Sequence, residues 1–141
     1  MSAAMHRLAN GFTVAVDPLA GAESVALGLY AMVGSRSEPE NSAGLAHLVE
    51  HMVFKGAGPR DTRQLAEAIE DVGGYMNAWT SRDQTTVHGP GLGRGTALLA
   101  ELIADLVRSP HMADEHLDRE KDVILSEIGE SLDSPDDLVN D

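Results

Sequence analysis

The stretch from Asn41 or Ser42 to about Phe54 reads as a helix that is apolar on nearly every side, with Leu45, Ala46, Leu48, Val49, Met52, Val53 and Phe54 surrounding its axis. A helix of that kind is a buried one. Three polar side chains interrupt it: His47, Glu50 and His51. At about 100° per residue, the two histidines stand one turn apart on one face, and Glu50 falls within the same third of the circumference. Each buried polar group left unpaired costs on the order of 2–7 kcal/mol, so the fold must give these three a partner. Histidines at this spacing also occur by chance on ordinary helices; the apolar setting is what favours a bound cation. Zinc suits best, because a catalytic zinc takes three N or O ligands and keeps a fourth position open. Two imidazoles can share one ion, and the carboxylate can reach water held by it.

Composition narrows the choice of ligand. The 141 residues include no cysteine, so thiolate sites and disulfides are excluded and any metal must use His, Asp or Glu. Hydrophobic residues make up 43%, enough for a core, and the length is that of one domain. Asp and Glu number 23 against 10 Lys and Arg. That balance opposes binding to nucleic acid or to an anionic membrane, so neither is expected as a partner. The first residues lack a charged segment followed by an apolar one, and no apolar run approaches the roughly 18 residues of a membrane span. A cytoplasmic location is the expectation.

Residues 6–10, 11–17 and 23–33 read as strands, with Asn10-Gly11 as the turn of a hairpin. Asn41 or Ser42 is expected to cap the helix that carries His47. Asp61 or Thr62 starts a second helix, with Leu65, Ala68, Ile69 and Val72 on one stripe, ended by Gly73-Gly74. Residues 75–88 read as a hairpin or two strands. A third helix covers 96–107 and a fourth 114–132, broken by Ser134-Pro135, with 136–141 beginning another. The pattern predicts an α+β fold in which a mainly antiparallel sheet is covered on one face by helices. Gly91-x-Gly93-x-Gly95 has the wrong spacing for a phosphate loop and reads as a strand-to-helix turn. His6, His88, His111 and His116 read as ordinary polar residues, and Trp79 as either a packing or a groove residue. On the fourth helix, Glu120 and Glu127 lie two turns apart between Val123 and Ile124, away from the face of Glu115, Asp122 and Glu130. The wheel leaves two readings open for them: solvated boundary residues, or acids in want of a partner.

His47-Leu48-Val49-Glu50-His51 is the inverzincin pattern His-x-x-Glu-His. Gly44 to Gly56, with Gly73-Gly74-Tyr75-Met76-Asn77-Ala78-Trp79-Thr80-Ser81 and Arg119-Glu120-Lys121-Asp122-Val123-Ile124-Leu125-Ser126-Glu127-Ile128, closely resembles three blocks of the pitrilysin and mitochondrial processing peptidase family. The resemblance runs along nearly the whole chain. It implies that Glu127 is the third zinc ligand beside His47 and His51, and that Glu120 supports the site without touching the metal. The 75 residues between His51 and Glu127 fit that family. Glu50 would then be the general base, taking a proton from zinc-bound water and later giving one to the leaving amine. An extended substrate would add a strand to the sheet edge near Asn77 and Ala78. One departure stands out: Val87 occupies a place where the family usually has an aromatic residue.

The resemblance also implies that residues 1–141 are the N-terminal part of a longer catalytic domain. The rest of that domain, and a second one supplying Arg and Tyr groups to the substrate, would lie elsewhere. The function expected is a zinc-dependent endopeptidase acting on extended peptides or protein presequences; the alternative is a non-catalytic peptide-binding subunit or fragment that keeps the zinc site. The expected partners are a peptide or unfolded-protein substrate and a further domain or partner subunit. An exposed sheet edge and uncovered apolar surface favour self-association. The isolated chain is expected to turn over little peptide.

Overall fold

The computed structural model describes residues 3–133; the helix start expected at 136–141, and the break at Ser134-Pro135, lie outside them. Strands β1 (Ala4–Arg7) and β2 (Thr13–Val16) form an antiparallel hairpin. The turn is not the two-residue one expected at Asn10-Gly11. Gly11 N–H bonds to Leu8 O (2.9 Å) and Leu8 N–H to Phe12 O (2.8 Å), with Gly11 at φ +87°. That is a turn closed by a left-handed residue, which takes one more residue than a tight Asn-Gly hairpin and ends β1 at Arg7.

Strands β3 (Ser24–Ala31), β4 (Asn77–Thr80) and β5 (Thr85–Leu92) form a separate antiparallel sheet in the order β3-β5-β4. β4 is an edge strand, pairing Asn77 with His88 and Thr80 with Thr85. β5 runs past the predicted end at 88, because residues 89–92 still pair with β3 from Leu27 back to Ser24. On β3, exposure alternates with the pleat: Val25, Leu27, Leu29 and Ala31 turn toward the helices, Ser24, Ala26, Gly28 and Tyr30 toward solvent.

Helices α1 (Leu45–Met52), α2 (Thr62–Asp71), α3 (Thr96–Arg108) and α4 (Asp114–Asp133) complete the chain. α3 lies against β3 and β5, α1 against β4, and α4 against α1. Leu99, Leu102, Ile103 and Leu106, at helical spacing on α3, meet Leu65 of α2, Val72 just after it, and Ala78 and Val87 of the sheet in one core. α2 starts at Thr62 with Asp61 as its cap, in a capping box: Asp61 Oδ1 accepts from Gln64 N–H, and Gln64 Oε1 accepts from Asp61 N–H. Val87, the departure noted above, is buried in the central strand opposite Ala78 and Leu29. It fills the core beneath the edge.

Two expectations for α1 need correction. Its cap is neither Asn41 nor Ser42, which form a separate 3-10 turn over Glu40–Ser42. Gly44 stands at the N-cap with φ +91°, and the Glu38 carboxylate accepts from the N–H groups of Gly44 (2.8 Å) and Ala46. A side chain from the preceding turn thus does what a capping Ser or Asn does locally. Nor is α1 buried all round: Met52 is enclosed, but Leu45 is exposed, and Leu48 borders a groove with Ile124, Leu125 and Ile128 of α4. No helix among the described residues is long and apolar enough to cross a membrane.

Candidate metal centre

The spacing read from the sequence puts His47 and His51 on the side of α1 that faces α4. Their ring centroids are 4.8 Å apart, nearly perpendicular at 81°. Glu127 arrives from α4, two turns after Glu120, with buried Ile124 between them on the packed side. The Nε2 atoms of His47 and His51 are 3.2 Å apart. Glu127 Oε2 is 3.3 Å from His47 Nε2 and 3.4 Å from His51 Nε2.

Those three edges test whether a metal fits. Ligand atoms about 2.0–2.1 Å from a tetrahedral ion stand about 3.3–3.4 Å from each other. Three donor atoms, two imidazole nitrogens and a carboxylate oxygen, therefore have the chemistry and the mutual spacing of a site for zinc or a similar divalent ion. They are the one group of three or more His, Asp or Glu among the described residues close enough to hold an ion together.

Glu120 is the buried charged residue of the centre, with its side chain 7% exposed. Its Oε2 lies 3.3 Å from His51 Nδ1, and its Oε1 accepts from Lys55 Nζ at 2.7 Å. A carboxylate only accepts, so a hydrogen bond from His51 to Glu120 needs the proton on Nδ1, the tautomer that leaves the Nε2 lone pair for a metal. Burial pushes the Glu120 carboxyl up, but the Lys55 ammonium and His51 outweigh it and hold it below the usual carboxylate range. The carboxylate–histidine contact is the arrangement that orients metal-binding imidazoles elsewhere.

Glu50 is half-buried and has no hydrogen-bond or ion-pair partner among the described residues. With His47 it lines a groove of about 340 Å³ between α1 and β4, whose other walls include Glu38, Trp79 and Thr80. Thr80 Oγ1 donates to Ala46 O (3.4 Å) across that junction. Asn77 and Ala78 lie on β4, whose outer edge has no strand partner among the described residues; the Ala78 N–H donates to Asn77 Oδ1 (2.9 Å). They are therefore on the same sheet edge as the groove but are not part of the metal cluster. A larger apolar groove, of about 450 Å³, lies between β3, α1 and α3, and none of the metal-cluster residues lines it.

None of His6, His88, His111 and His116 belongs to the cluster. His111 Nε2 bonds to Gly58 O (2.9 Å), His116 sits near Glu115, and His6 lies on the exposed hairpin. Gly93–Gly95 forms a single 3-10 turn between β5 and α3, as the glycine spacing suggested. Two residues of the site went unread in the sequence. Lys55 had a signal, since it lies four residues beyond His51 as His51 lies beyond His47. Glu38 had none, because its contact depends on how the preceding turn folds back.

The profile of the Insulinase (Peptidase family M16) family matches residues 13–141. An uncharacterized zinc protease of Rickettsia bellii is 39% identical over 135 residues, covering 96% of this chain and 33% of the relative. A probable mitochondrial-processing peptidase subunit beta of Arabidopsis thaliana is 38% identical over 134 residues, covering 95% and 25%. An uncharacterized zinc protease of Mycobacterium leprae is 35% identical over 134 residues, covering 95% and 30%. The chain spans a third or less of the length of these curated relatives. With a profile matched from β2 onward and the α+β fold around an inverted His-x-x-Glu-His helix, the chain belongs to the insulinase family of metallopeptidases, M16.

Proposed function

We propose that this chain carries the zinc-binding and water-activating wall of an endopeptidase that cleaves extended peptides or protein presequences. The observation that supports it most is the triangle of His47, His51 and Glu127 donor atoms, with edges of 3.2–3.4 Å, beside the unpaired carboxylate of Glu50. In this reading His47 Nε2, His51 Nε2 and a Glu127 oxygen hold the ion. Bound there, zinc supplies Lewis acidity, lowering the pKa of its water to about 7 and polarising the scissile carbonyl. Glu50 takes the proton of the attacking water on a carboxylate oxygen and hands it to the leaving amine. Glu120 keeps His51 in the tautomer that presents Nε2. The substrate lies along the free edge of β4 by Asn77 and Ala78, pairing through its backbone, so that varied sequences are accepted. One relative's name makes it one subunit of a peptidase. On that basis we extend to this chain a partner subunit or further domain that covers the groove; self-association through the same edge would be a substitute.

Elemental analysis of dialysed, zinc-reconstituted chain is expected to find about one zinc per chain, and no stoichiometric metal would end the proposal. Glu50→Gln should keep the zinc and lower hydrolysis of a quenched-fluorescent peptide by the whole protein by about 10²–10⁴-fold, the usual worth of a general base. Hydrolysis at the parent rate would remove Glu50 from that role. Zinc and peptide binding without turnover in the whole wild-type protein would favour the non-catalytic subunit.

A further inference from the structure

Lys55 closes the turn that follows α1, its N–H bonding to Met52 O at 3.0 Å. Its ammonium reaches back to Glu120 Oε1 at 2.7 Å, while Glu120 Oε2 faces His51 Nδ1 at 3.3 Å. The two oxygens of one enclosed carboxylate thus have different partners. A carboxylate fixed at one oxygen can turn about its Cγ–Cδ bond; one fixed at both cannot. We propose that Lys55 is a positioning residue: by occupying one oxygen of Glu120 it aims the other at His51 Nδ1, and so fixes the tautomer and ring plane that turn His51 Nε2 toward Glu127. The inference rests on the zinc reading above, but its first readout needs no zinc.

The sign of the effect separates this role from plain electrostatics. A cation this near a divalent ion repels it, so a lysine acting only through its charge would weaken zinc binding, and its removal would tighten it. A lysine acting through Glu120 does the reverse. Losing the outer partner of a metal-bound histidine weakens metal binding by about 10–100-fold. Lys55 is one contact further out, so the low end, about tenfold, is expected.

The test is nitrogen-15 NMR of the histidine rings in metal-free chain, together with zinc Kd by competition with a chromophoric chelator. Wild type should show His51 with its proton on Nδ1. Lys55→Met should mix the two tautomers and raise the zinc Kd about tenfold, and Lys55→Arg, which keeps a donor for Oε1, should restore most of both. In a Glu120→Gln background, adding Lys55→Met should change Kd by less than about twofold, because the path through Glu120 is already cut; an independent effect would add in full to within about that margin. That comparison also serves if Lys55→Met alone does not fold, because the double variant leaves no buried charge unpaired. An unchanged His51 tautomer, tighter zinc, or equal weakening in both backgrounds would overturn the proposal. A wild-type chain that binds no zinc would sink the zinc reading instead, and the tautomer comparison would still decide the role of Lys55.

Discussion

His47 and His51 stand one turn apart on one short helix, yet their surroundings differ. The His51 side chain is 17% exposed and backed by Glu120, which Lys55 backs in turn. The His47 side chain is 37% exposed and opens with Glu50 onto the groove beside β4; Glu127, which touches both rings, is 45% exposed. One half of the centre is sealed by a chain of polar contacts, and the other is left to solvent. A metallopeptidase site needs both: ligands held rigidly on one side, and on the other a carboxylate and an open position that exchange with water and substrate. The difference predicts that the two acids of α4, seven residues apart, should fail in opposite ways.

Glu127→Gln should weaken zinc binding by more than about 100-fold, beyond the range for outer partners, while leaving the melting of metal-free chain within about 0.5 kcal/mol of wild type, as exposed substitutions do. Glu120→Gln should destabilise the metal-free chain by about 3 kcal/mol. That is the low end for removing one partner of a buried ion pair, because Lys55 is 27% exposed. Its effect on zinc should stay within about 10–100-fold. Urea titration with and without zinc measures both quantities. If Glu120→Gln melted like wild type, or Glu127→Gln lost the metal-free stability, the division into sealed and open halves would be wrong.

Acid should dissolve the same distinction from the sealed side. The folded Glu120 carboxyl has its pKa lowered despite its burial, because of Lys55 and His51. A group depressed on folding contributes stability above its unfolded pKa, about 4.3 for Glu, and loses it as pH falls through the folded value. The stability gap between wild type and Glu120→Gln, measured without metal, should therefore be present above about pH 4.3 and shrink below it. A gap that stayed constant to about pH 3 would mean that the Glu120 charge is not what separates the two proteins.

Much of this centre was legible in the chain because it is periodic. His47, Glu50 and His51 share a face by the 3.6-residue repeat, and so do Glu120, Ile124 and Glu127 on α4. The antiparallel sheet and its helical cover follow from that repeat and the two-residue alternation of strands, and Asp61, one of the two starts read for α2, is its cap. The parts that could not be read are tertiary. The wheel could not choose between boundary and partnered roles for Glu120 and Glu127, because that depends on which face of α1 meets α4. Nothing in the spacing of β1 to β3 says that the hairpin stands apart from the main sheet. The apolar girdle of α1 suggested full burial, whereas Leu45 is exposed in the described residues. The cap of α1 was sought in Asn41 and Ser42, next to the helix, and comes from Glu38.

That cap gives the smallest and most local way to sharpen the comparison. α1 has eight residues, too few to be stable without outside support. Its last turn is held by buried Met52 and by the His51–Glu120–Lys55 contacts. Its first turn, which carries His47, depends on Glu38, whose carboxylate takes two of the free N–H groups and places negative charge at the positive end of the helix. Glu38→Ala should cost about 1 kcal/mol, as the loss of a cap does. The loss should fall unevenly. Hydrogen exchange of the amides of residues 46–48 should speed up about fivefold, the factor that 1 kcal/mol represents, while that of residues 50–53 stays near wild type. Equal acceleration along 46–53 would show that α1 opens as a single unit, and that its two histidines differ in exposure but not in how firmly the helix holds them.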